Sequence, residues 1–200
     1  MTPSPTPNLL QRLKDETSQQ HTETEAMLFT PELMAGMLTP DQYGDLLRIH
    51  YQFHQALETA LAHHADFLAG YDWQERRKTP WLTADLDRLQ CPLPPPVPGL
   101  FAGWSGYELL GALYVSEGST LGGRYIAKSL RRIPELQDEA VRGQFFTGYG
   151  EQTGAHWKAF GAFLLQRADT DHTRIIDAAR RTFAYFQQLA RQRVGPISVA

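Results

Sequence analysis

The segment Gly111–Leu130 constrains the fold most, because its apolar pattern is helical although glycines interrupt its middle. Gly118, Gly122 and Gly123 all fall in this interior, where each glycine costs about 0.5–1 kcal/mol relative to alanine. Gly118 and Gly122 are four residues apart, so they share one helix face and leave a patch without side chains. Such a patch predicts either a ligand that approaches the backbone closely or tight packing against another helix.

Capping signals predict helices along most of the chain, and no run of alternating apolar and polar residues predicts a strand. The predicted helices span residues 8–28, 39–64, 83–90, 105–132, 135–146, 153–167 and 171–194. The proline-rich residues 91–99 form a stiff connector rather than a domain linker, because the helices on both sides need each other's apolar faces. We therefore expect an all-α protein with a single domain over residues 1–200, of which residues 1–7 form a flexible tail.

Charge and cysteine content limit the partners and the compartment. The formal net charge of -3 gives no reason to expect a nucleic acid or an anionic membrane as partner. The single cysteine excludes an internal disulfide and fits a reducing compartment. No apolar run approaches the roughly 20 residues of a membrane span, and the first residues lack the pattern of a signal peptide. We expect a cytoplasmic protein that binds neither membrane nor nucleic acid.

The first predicted helix carries a stripe of residues at three- and four-residue steps that includes a histidine. The stripe comprises Leu10, Leu13, Thr17, His21, Thr24 and Leu28. His21 is therefore expected to point toward the interior, and Glu25, one turn further, can accept a hydrogen bond from one ring nitrogen. Lys14, two turns before His21, can meet an acidic group of a ligand. The alternatives are a core histidine with one satisfied nitrogen, and a solvated helix rim for Lys14 and Glu25.

Other residues with a chemical role in many proteins have simpler interpretations here. His50 and His54 are four residues apart and could share a metal, but no third ligand is evident and the helix has mixed faces. Phe145, Phe146 and Tyr149 are expected to be core aromatics near the pocket.

A histidine on one helix and a bare glycine patch on another suggest a flat ligand clamped between them, and haem fits that description. The segments that carry these features, residues 13–25 and 112–123, resemble the proximal and distal helix motifs of haem oxygenases, particularly the bacterial, biliverdin-producing type. A weaker resemblance extends through residues 77–89, 145–150 and 156–160. The resemblance implies a haem-oxygenase-like helical bundle that holds haem b between a proximal and a distal helix.

The same resemblance implies an activity and its partners. The reaction would be O2-dependent cleavage of haem b to biliverdin, carbon monoxide and ferrous iron. Electrons would come from an external donor such as a ferredoxin or a flavin reductase, because the sequence has no Rossmann-type glycine fingerprint and no iron–sulfur spacing. A photoreceptor that uses bilins could take the product.

Carried over position by position, the resemblance makes His21 the axial iron ligand and Glu25 its hydrogen-bond partner. The haem propionates would contact Lys14, Tyr114 and Lys158. Gly123 and the catalytic positions Gly118, Ser119 and Gly122 would form the distal wall. Ser119 stands where mammalian members carry an aspartate, so backbone groups and water would act there instead of an acid. An exposed helix lysine at position 158 and a core aromatic at position 114 are the alternatives.

Two other functions are compatible with these residues. A non-catalytic haem or bilin carrier with the same fold would bind haem without turnover. A thiaminase-like all-α enzyme would act on a small heterocycle without haem, but it would need a well-placed cysteine and acids that the sequence does not show.

Overall fold

The computed structural model describes residues 8–168 and 172–194, and these residues contain helices and no strand. The predicted tail over residues 1–7 and the predicted helix start at residue 171 lie outside the described residues. None of the described helices is long and apolar enough to cross a membrane. The all-α class predicted from the sequence is confirmed.

The α-helices of the described residues are α1 (Leu9–Glu16), α2 (Ser18–Met27), α3 (Thr30–Ala35), α4 (Pro40–Ala62), α5 (Thr79–Arg88), α6 (Gly106–Leu130), α7 (Glu139–Arg142), α8 (Thr153–Arg167) and α9 (Thr173–Val194). Short 3-10 segments cover Pro134–Leu136 and Gly150–Gln152.

The two long helices α4 and α6 begin where their capping residues predict. The Thr39 backbone N–H donates to the Gln42 side chain at 2.9 Å, and the Gln42 backbone N–H donates to the Thr39 hydroxyl at 3.2 Å. Ser105 and Glu108 form the same reciprocal pair at the start of α6. Each box satisfies backbone donors that the helix itself leaves unpaired, which sets the first residue of the helix.

The first predicted helix is instead two helices that meet at Thr17. The backbone of Thr17 leaves the helical region, with φ −116° and ψ 3°, and its hydroxyl donates to the carbonyl of Leu13 at 2.7 Å. The chain then turns at Phe29, which has a left-handed φ of 56°, and α3 follows, which the sequence did not predict. The prediction for residues 8–28 was therefore right in type and wrong in continuity.

The predicted helix over residues 135–146 is also wrong for most of its length, because a tertiary contact replaces helical hydrogen bonds. The carboxylate of Asp85, on α5, accepts hydrogen bonds from the backbone N–H groups of Gln144 at 2.8 Å and Phe145 at 2.7 Å. Gly143 turns the chain there with φ 70°. Only Glu139–Arg142 remains α-helical in this segment. In addition, α5 begins at Thr79, four residues before the predicted start at Thr83.

Helices α6 and α9 form the centre of the bundle, and α2, α4 and α8 pack around them. The backbones of α6 and α9 meet closely at Gly111. A Cβ atom there would lie 2.8 Å from the backbone nitrogen of Ala179 and closer still to the carbonyl oxygen of Ile175. Tight helix packing, one of the two explanations for glycine in this segment, therefore holds at Gly111.

Candidate functional site

A cavity of about 950 Å³ lies between α1 and α2 on one side and α6 on the other. Its size falls at the upper end of the roughly 300–1,000 Å³ typical of small-molecule and cofactor sites. The predicted site residues that line it are Lys14, His21, Glu25, Tyr114, Gly118, Ser119, Gly122 and Gly123. Lys158 is exposed on α8 and does not line the cavity, although the adjacent Trp157 does. The fold thus brings together every predicted site residue except Lys158.

His21 faces this cavity from α2. Its side chain is 55% exposed, whereas Thr17 and Thr24 on the same stripe are 2% and 5% exposed. The ring packs edge-on against Phe183 of α9, with 5.8 Å between ring centroids. Such exposure contradicts the alternative of a core histidine. The stripe points inward as predicted, but at His21 the interior is open space rather than packed side chains.

Glu25 lies beside the His21 ring, as their one-turn spacing predicts. His21 Nδ1 is 3.5 Å from Glu25 Oε2. A carboxylate at Nδ1 favours the tautomer that carries its proton there, which leaves the lone pair of Nε2 free to bind a metal. The geometry therefore suits an axial ligand whose orientation is set by an acidic neighbour.

The glycines of α6 differ in what a side chain would meet. At Gly122 an added Cβ would have no heavy atom within 4 Å, and at Gly118 it would only touch the Trp157 ring at 3.7 Å. At Gly123 it would lie 2.9 Å from the Phe146 carbonyl oxygen, which is too close for a real contact. Gly118 and Gly122 therefore keep open the wall that faces the cavity, whereas Gly123 allows the backbone at Phe146 to approach.

Ser119 offers an acceptor rather than an acid. Its hydroxyl donates to the carbonyl of Ser116 at 2.8 Å, so its proton is held by the helix backbone. The oxygen keeps lone pairs that can accept a hydrogen bond from a water molecule or ligand in the cavity. The action of backbone groups and water at this wall stays a prediction.

Tyr114 and Lys14 also line the cavity. Tyr114 is half-buried against Trp157, with 5.8 Å between ring centroids. Burial raises the pKa of its hydroxyl, and a hydrogen bond with Thr17 opposes that shift. Lys14 is exposed and forms no ion pair with a carboxylate of the described residues. Its charge is therefore available to an anionic group of a ligand.

Sequence reasoning missed a buried ionic cluster next to the glycine wall, and Lys78 of this cluster also lines the cavity. Glu117 is 1% exposed; its carboxylate pairs with the ammonium of Lys78 and lies 3.1 Å from Arg76 Nη1. The Lys78 ammonium also donates to the Tyr149 hydroxyl at 3.0 Å, so Tyr149 belongs to this cluster rather than to the apolar core. Burial lowers the pKa of Lys78, and the Glu117 carboxylate opposes that shift.

A signal for this cluster was present in the sequence. Glu117 follows Leu110 and Leu113 at helical spacing, so it falls on an apolar helix face. A carboxylate on such a face requires a buried cationic partner. Spacing along α6 does not show which cation that is, because Arg76 and Lys78 come from the loop before α5.

His50 and His54 are buried, and only His50 reaches the cavity. Their rings are stacked at 6.1 Å, and His50 also packs against Phe145 at 4.8 Å and Phe186 at 5.3 Å. Burial lowers the pKa of His50 to about 3 and that of His54 well below its usual value, so both are neutral. Within residues 8–168 and 172–194, no group of three or more His, Cys, Asp or Glu could hold a metal. The predicted aromatics Phe145 and Phe146 are buried and line the cavity.

Together, these features are typical of one class of protein. The cavity is lined by an exposed imidazole on one wall, by a bare helix backbone on the other and by the cation of Lys14. The donor set suits a flat, largely apolar ring that carries a metal at its centre and anionic groups at its rim, as haem does. An all-α fold with such a cavity suits a helical haem-binding protein.

Comparison with known proteins identifies the family. The chain matches the family model described as Heme oxygenase over residues 7–92 and 101–192. A Heme oxygenase from Xanthomonas campestris pv. campestris (strain 8004) is 34% identical over 157 residues, which cover 76% of this chain and 90% of that protein. The chain therefore belongs to the haem oxygenase family, and it is a haem-binding enzyme of that class.

Solved structures agree with the fold. The NO- and CO-bound haem oxygenase of Neisseria meningitidis superposes with a TM-score of 0.79 at 21% identity, over 98% of this chain and 96% of that chain. The haem oxygenase of Leptospira interrogans gives a TM-score of 0.79 at 19% identity, over 92% of this chain and 98% of that chain. Haem oxygenase-1 of Synechocystis sp. PCC6803, solved in complex with haem, gives a TM-score of 0.60 at 18% identity. The match covers 93% of this chain and 92% of that chain.

Proposed function

We propose that this enzyme cleaves haem b with O2 to biliverdin, carbon monoxide and ferrous iron, and that His21 is the axial iron ligand. The observation that supports this most directly is the cavity between an exposed, Glu25-paired His21 and the open glycine wall of α6. Bound haem supplies the redox-active iron and is itself the molecule that is degraded.

On the proximal side, the protein holds and orients the substrate. His21 Nε2 would hold the iron while Nδ1–H donates a hydrogen bond to the Glu25 carboxylate, which fixes the ring plane and raises the basicity of the imidazole. Phe183 packs against the ring from α9 and limits its rotation. Lys14 and the protonated Tyr114 hydroxyl bind the acidic rim of the substrate.

On the distal side, the protein provides space and hydrogen-bond acceptors instead of an acid. Gly118 and Gly122 let the helix backbone lie close over the substrate while leaving room for O2. The Ser119 oxygen accepts a hydrogen bond from a water molecule, which can carry protons into a wall that has no acidic side chain of its own. Electrons come from an external donor, such as a ferredoxin or a flavin reductase, in the cytoplasm, and a bilin-using photoreceptor is one candidate acceptor for the product.

A hemin titration followed by turnover tests the proposal. Purified protein should shift the Soret band of hemin, and addition of ascorbate under air should replace that band with broad bilin absorption and yield biliverdin by chromatography. His21→Ala should bind hemin more weakly and lose the ferric spectrum of an imidazole complex, whereas His63→Ala, at an exposed position outside the cavity, should match the wild type.

Two results would contradict the proposal. Stable binding without loss of the Soret band, in the presence of a competent reductant, would identify a haem or bilin carrier. An unchanged ferric spectrum in His21→Ala would refute the ligand assignment.

A further inference from the structure

Asp85 of α5 carries a fully buried carboxylate, with 0% of its side chain exposed. Burying a carboxylate costs free energy unless hydrogen bonds or a cation compensate. One partner is local, because Arg88 Nη1 lies 2.8 Å from Asp85 Oδ1. The others are distant backbone groups: the Gln144 N–H donates to Oδ1 at 2.8 Å and the Phe145 N–H donates to Oδ2 at 2.7 Å. The position of that segment is therefore tied to an ionised Asp85.

Gly143 shapes the chain to receive the carboxylate. Its φ of 70° is a left-handed conformation that residues with a side chain rarely adopt. A Cβ atom at Gly143 would lie 2.6 Å from Asp85 Oδ2 and closer still to Oδ1. Glycine at this position therefore allows the next two backbone N–H groups to reach the carboxylate. Asp85 and Gly143 form one fitted contact between α5 and the segment that follows α7.

Residues 143–149, which we call the 143–149 loop, are held at both ends. At the start, Asp85 accepts the two backbone hydrogen bonds. At the end, the hydroxyl of Tyr149 accepts a hydrogen bond from the ammonium of Lys78 at 3.0 Å. Between these anchors, three residues of the loop line the cavity: Phe145, Phe146 and Gly148.

The two phenylalanine rings of the loop bound the cavity beside the glycine wall. The Phe145 ring packs on His50 of α4 and on the Phe146 ring, with 4.8 Å between centroids in both pairs. On the other side, the Phe146 carbonyl oxygen lies so near to Gly123 of α6 that an added Cβ there would be 2.9 Å away. A shift of the loop would therefore change the space between its rings and α6.

Stabilisation of the loop explains only part of this arrangement. A carboxylate that binds backbone N–H groups stabilises a turn wherever it occurs, so the contact alone indicates no role in the reaction. Two observations point further. The loop that Asp85 anchors supplies part of the cavity wall, and Lys78, which holds its other end, lines the same cavity.

We propose that Asp85 is a positioning residue for haem cleavage: by anchoring the 143–149 loop, it holds Phe145 and Phe146 where their rings limit the space for O2 beside the glycine wall. This inference rests on the proposed function. Asp85 itself does not line the cavity, so it acts through the two backbone N–H groups and the rings attached to them. Release of the loop widens the space that a diatomic molecule enters.

Two substitutions release the loop from opposite sides. Asp85→Asn keeps the shape of the side chain but replaces one acceptor oxygen with an NH2 group, which cannot accept from a backbone N–H. Gly143→Ala keeps the carboxylate and its charge but places a Cβ atom against it. The matched controls are Asp45→Asn, which removes the same charge from a pair with Arg48 on α4, and Gly36→Ala, which adds alanine at the same φ of 70° with no heavy atom within 4 Å.

Hydrogen–deuterium exchange of the haem-free protein measures the anchor. The amides of Gln144 and Phe145 should exchange about tenfold or more faster in Asp85→Asn and in Gly143→Ala, because they lose a charge-assisted acceptor. Both control variants should match the wild type at these amides. Unchanged exchange in Asp85→Asn and Gly143→Ala would show that Asp85 does not hold the loop, and the proposal would be wrong.

Carbon monoxide is the probe for the space beside the glycine wall. Flash photolysis of the haem complex, reduced with dithionite under carbon monoxide, gives the association rate constant in the folded protein. This rate constant should rise about threefold or more in Asp85→Asn and in Gly143→Ala relative to their controls, because the rings no longer limit that space. The ferric spectrum of the hemin complex should stay that of the wild type, since His21 and Glu25 are unchanged.

A purely structural Asp85 gives a different result. It would lower the free energy of unfolding in Asp85→Asn, measured by urea titration, and leave the association rate of carbon monoxide unchanged. A rate constant equal to or below that of the controls therefore overturns the proposal. If Asp85→Asn does not fold, Gly143→Ala against Gly36→Ala decides by the same measurements.

Failure of the proposed function is recognised separately. If the wild type leaves hemin intact with ascorbate under air, the proposed function is wrong, and the exchange measurement on the haem-free protein still decides whether Asp85 holds the loop. If the wild type degrades hemin but exchange or the carbon monoxide rate ignores the substitutions, only the role of Asp85 is wrong.

Discussion

Alanine substitutions at Gly111 and Gly122 should have opposite effects on stability, although both residues lie in α6. Both variants gain about 0.5–1 kcal/mol from the higher helix propensity of alanine. The difference between their free energies of unfolding therefore measures the steric cost of the added Cβ atom. A Cβ at Gly122 meets nothing within 4 Å, whereas one at Gly111 lies 2.8 Å from Ala179 N and closer still to Ile175 O. Overpacking against backbone, which cannot move aside, costs about 1–3 kcal/mol.

Thermal unfolding of the haem-free protein measures that difference. Since 1 kcal/mol corresponds to about 2–4 °C for a chain of this size, Gly122→Ala should melt slightly above the wild type and Gly111→Ala several degrees below Gly122→Ala. A melting temperature for Gly111→Ala equal to or above that of Gly122→Ala would refute the assignment of Gly111 to helix packing.

A larger substitution tests the second role of the same wall. Gly122→Leu should leave the haem-free protein folded, because its side chain enters open space, yet weaken hemin binding by about tenfold or more, which corresponds to about 1.4 kcal/mol. Gly154→Leu is the matched control, since Gly154 also has nothing within 4 Å of an added Cβ but does not line the cavity. Equal hemin affinity in the two leucine variants would show that Gly122 does not face the ligand.

Glu117→Gln should lower the free energy of unfolding by about 3–5 kcal/mol, because it leaves the ammonium of Lys78 buried without its carboxylate. Glu117→Gln with Lys78→Met should recover part of that loss in urea titrations, and additive losses would argue against the pair. His50 has a pKa of about 3 when folded, against about 6.5 when unfolded, so the unfolded state takes up the proton first as the pH falls. The contribution of neutral His50 to the free energy of unfolding is complete above about pH 6.5 and should decline by about 1.4 kcal/mol per pH unit below it. His50→Gln should flatten this dependence of the unfolding free energy on pH. An unchanged dependence would exclude His50 as its source. Thr39→Ala removes the N-cap of α4 and should lower the free energy of unfolding, measured by urea titration, by about 1 kcal/mol. An unchanged free energy would mean that water satisfies the Gln42 backbone N–H equally well.

Local signals predicted the long helices well. Thr39 and Ser105 mark the starts of α4 and α6 to the residue, because a capping box depends only on side chains three residues apart. The ends were predicted less accurately: α4 ends at Ala62 and α6 at Leu130, each two residues before the predicted end. The family, suggested by two segments of the sequence, is confirmed.

Segments held by distant contacts could not be predicted in this way. The chain around Gly143 is shaped by Asp85, about 60 residues away, whose carboxylate binds backbone groups that a helix would otherwise use. The break at Thr17 is accompanied instead by a local contact. The Thr17 hydroxyl donates to the carbonyl four residues before it, an option that serine and threonine have in any helix and use only in some.

By itself, the sequence determined that the chain is helical, that His21 and Glu25 share a face, and that Gly118 and Gly122 leave a bare patch, because helical periodicity assigns residues to faces. Only the tertiary structure decided what lies against each face. It placed open space at His21 and Gly122, the backbone of Phe146 at Gly123, and the loop cation Lys78 at Glu117. Periodicity is a property of one helix, whereas a cavity, a close approach and a buried ion pair each require a second element whose position is set by the packing of the whole bundle.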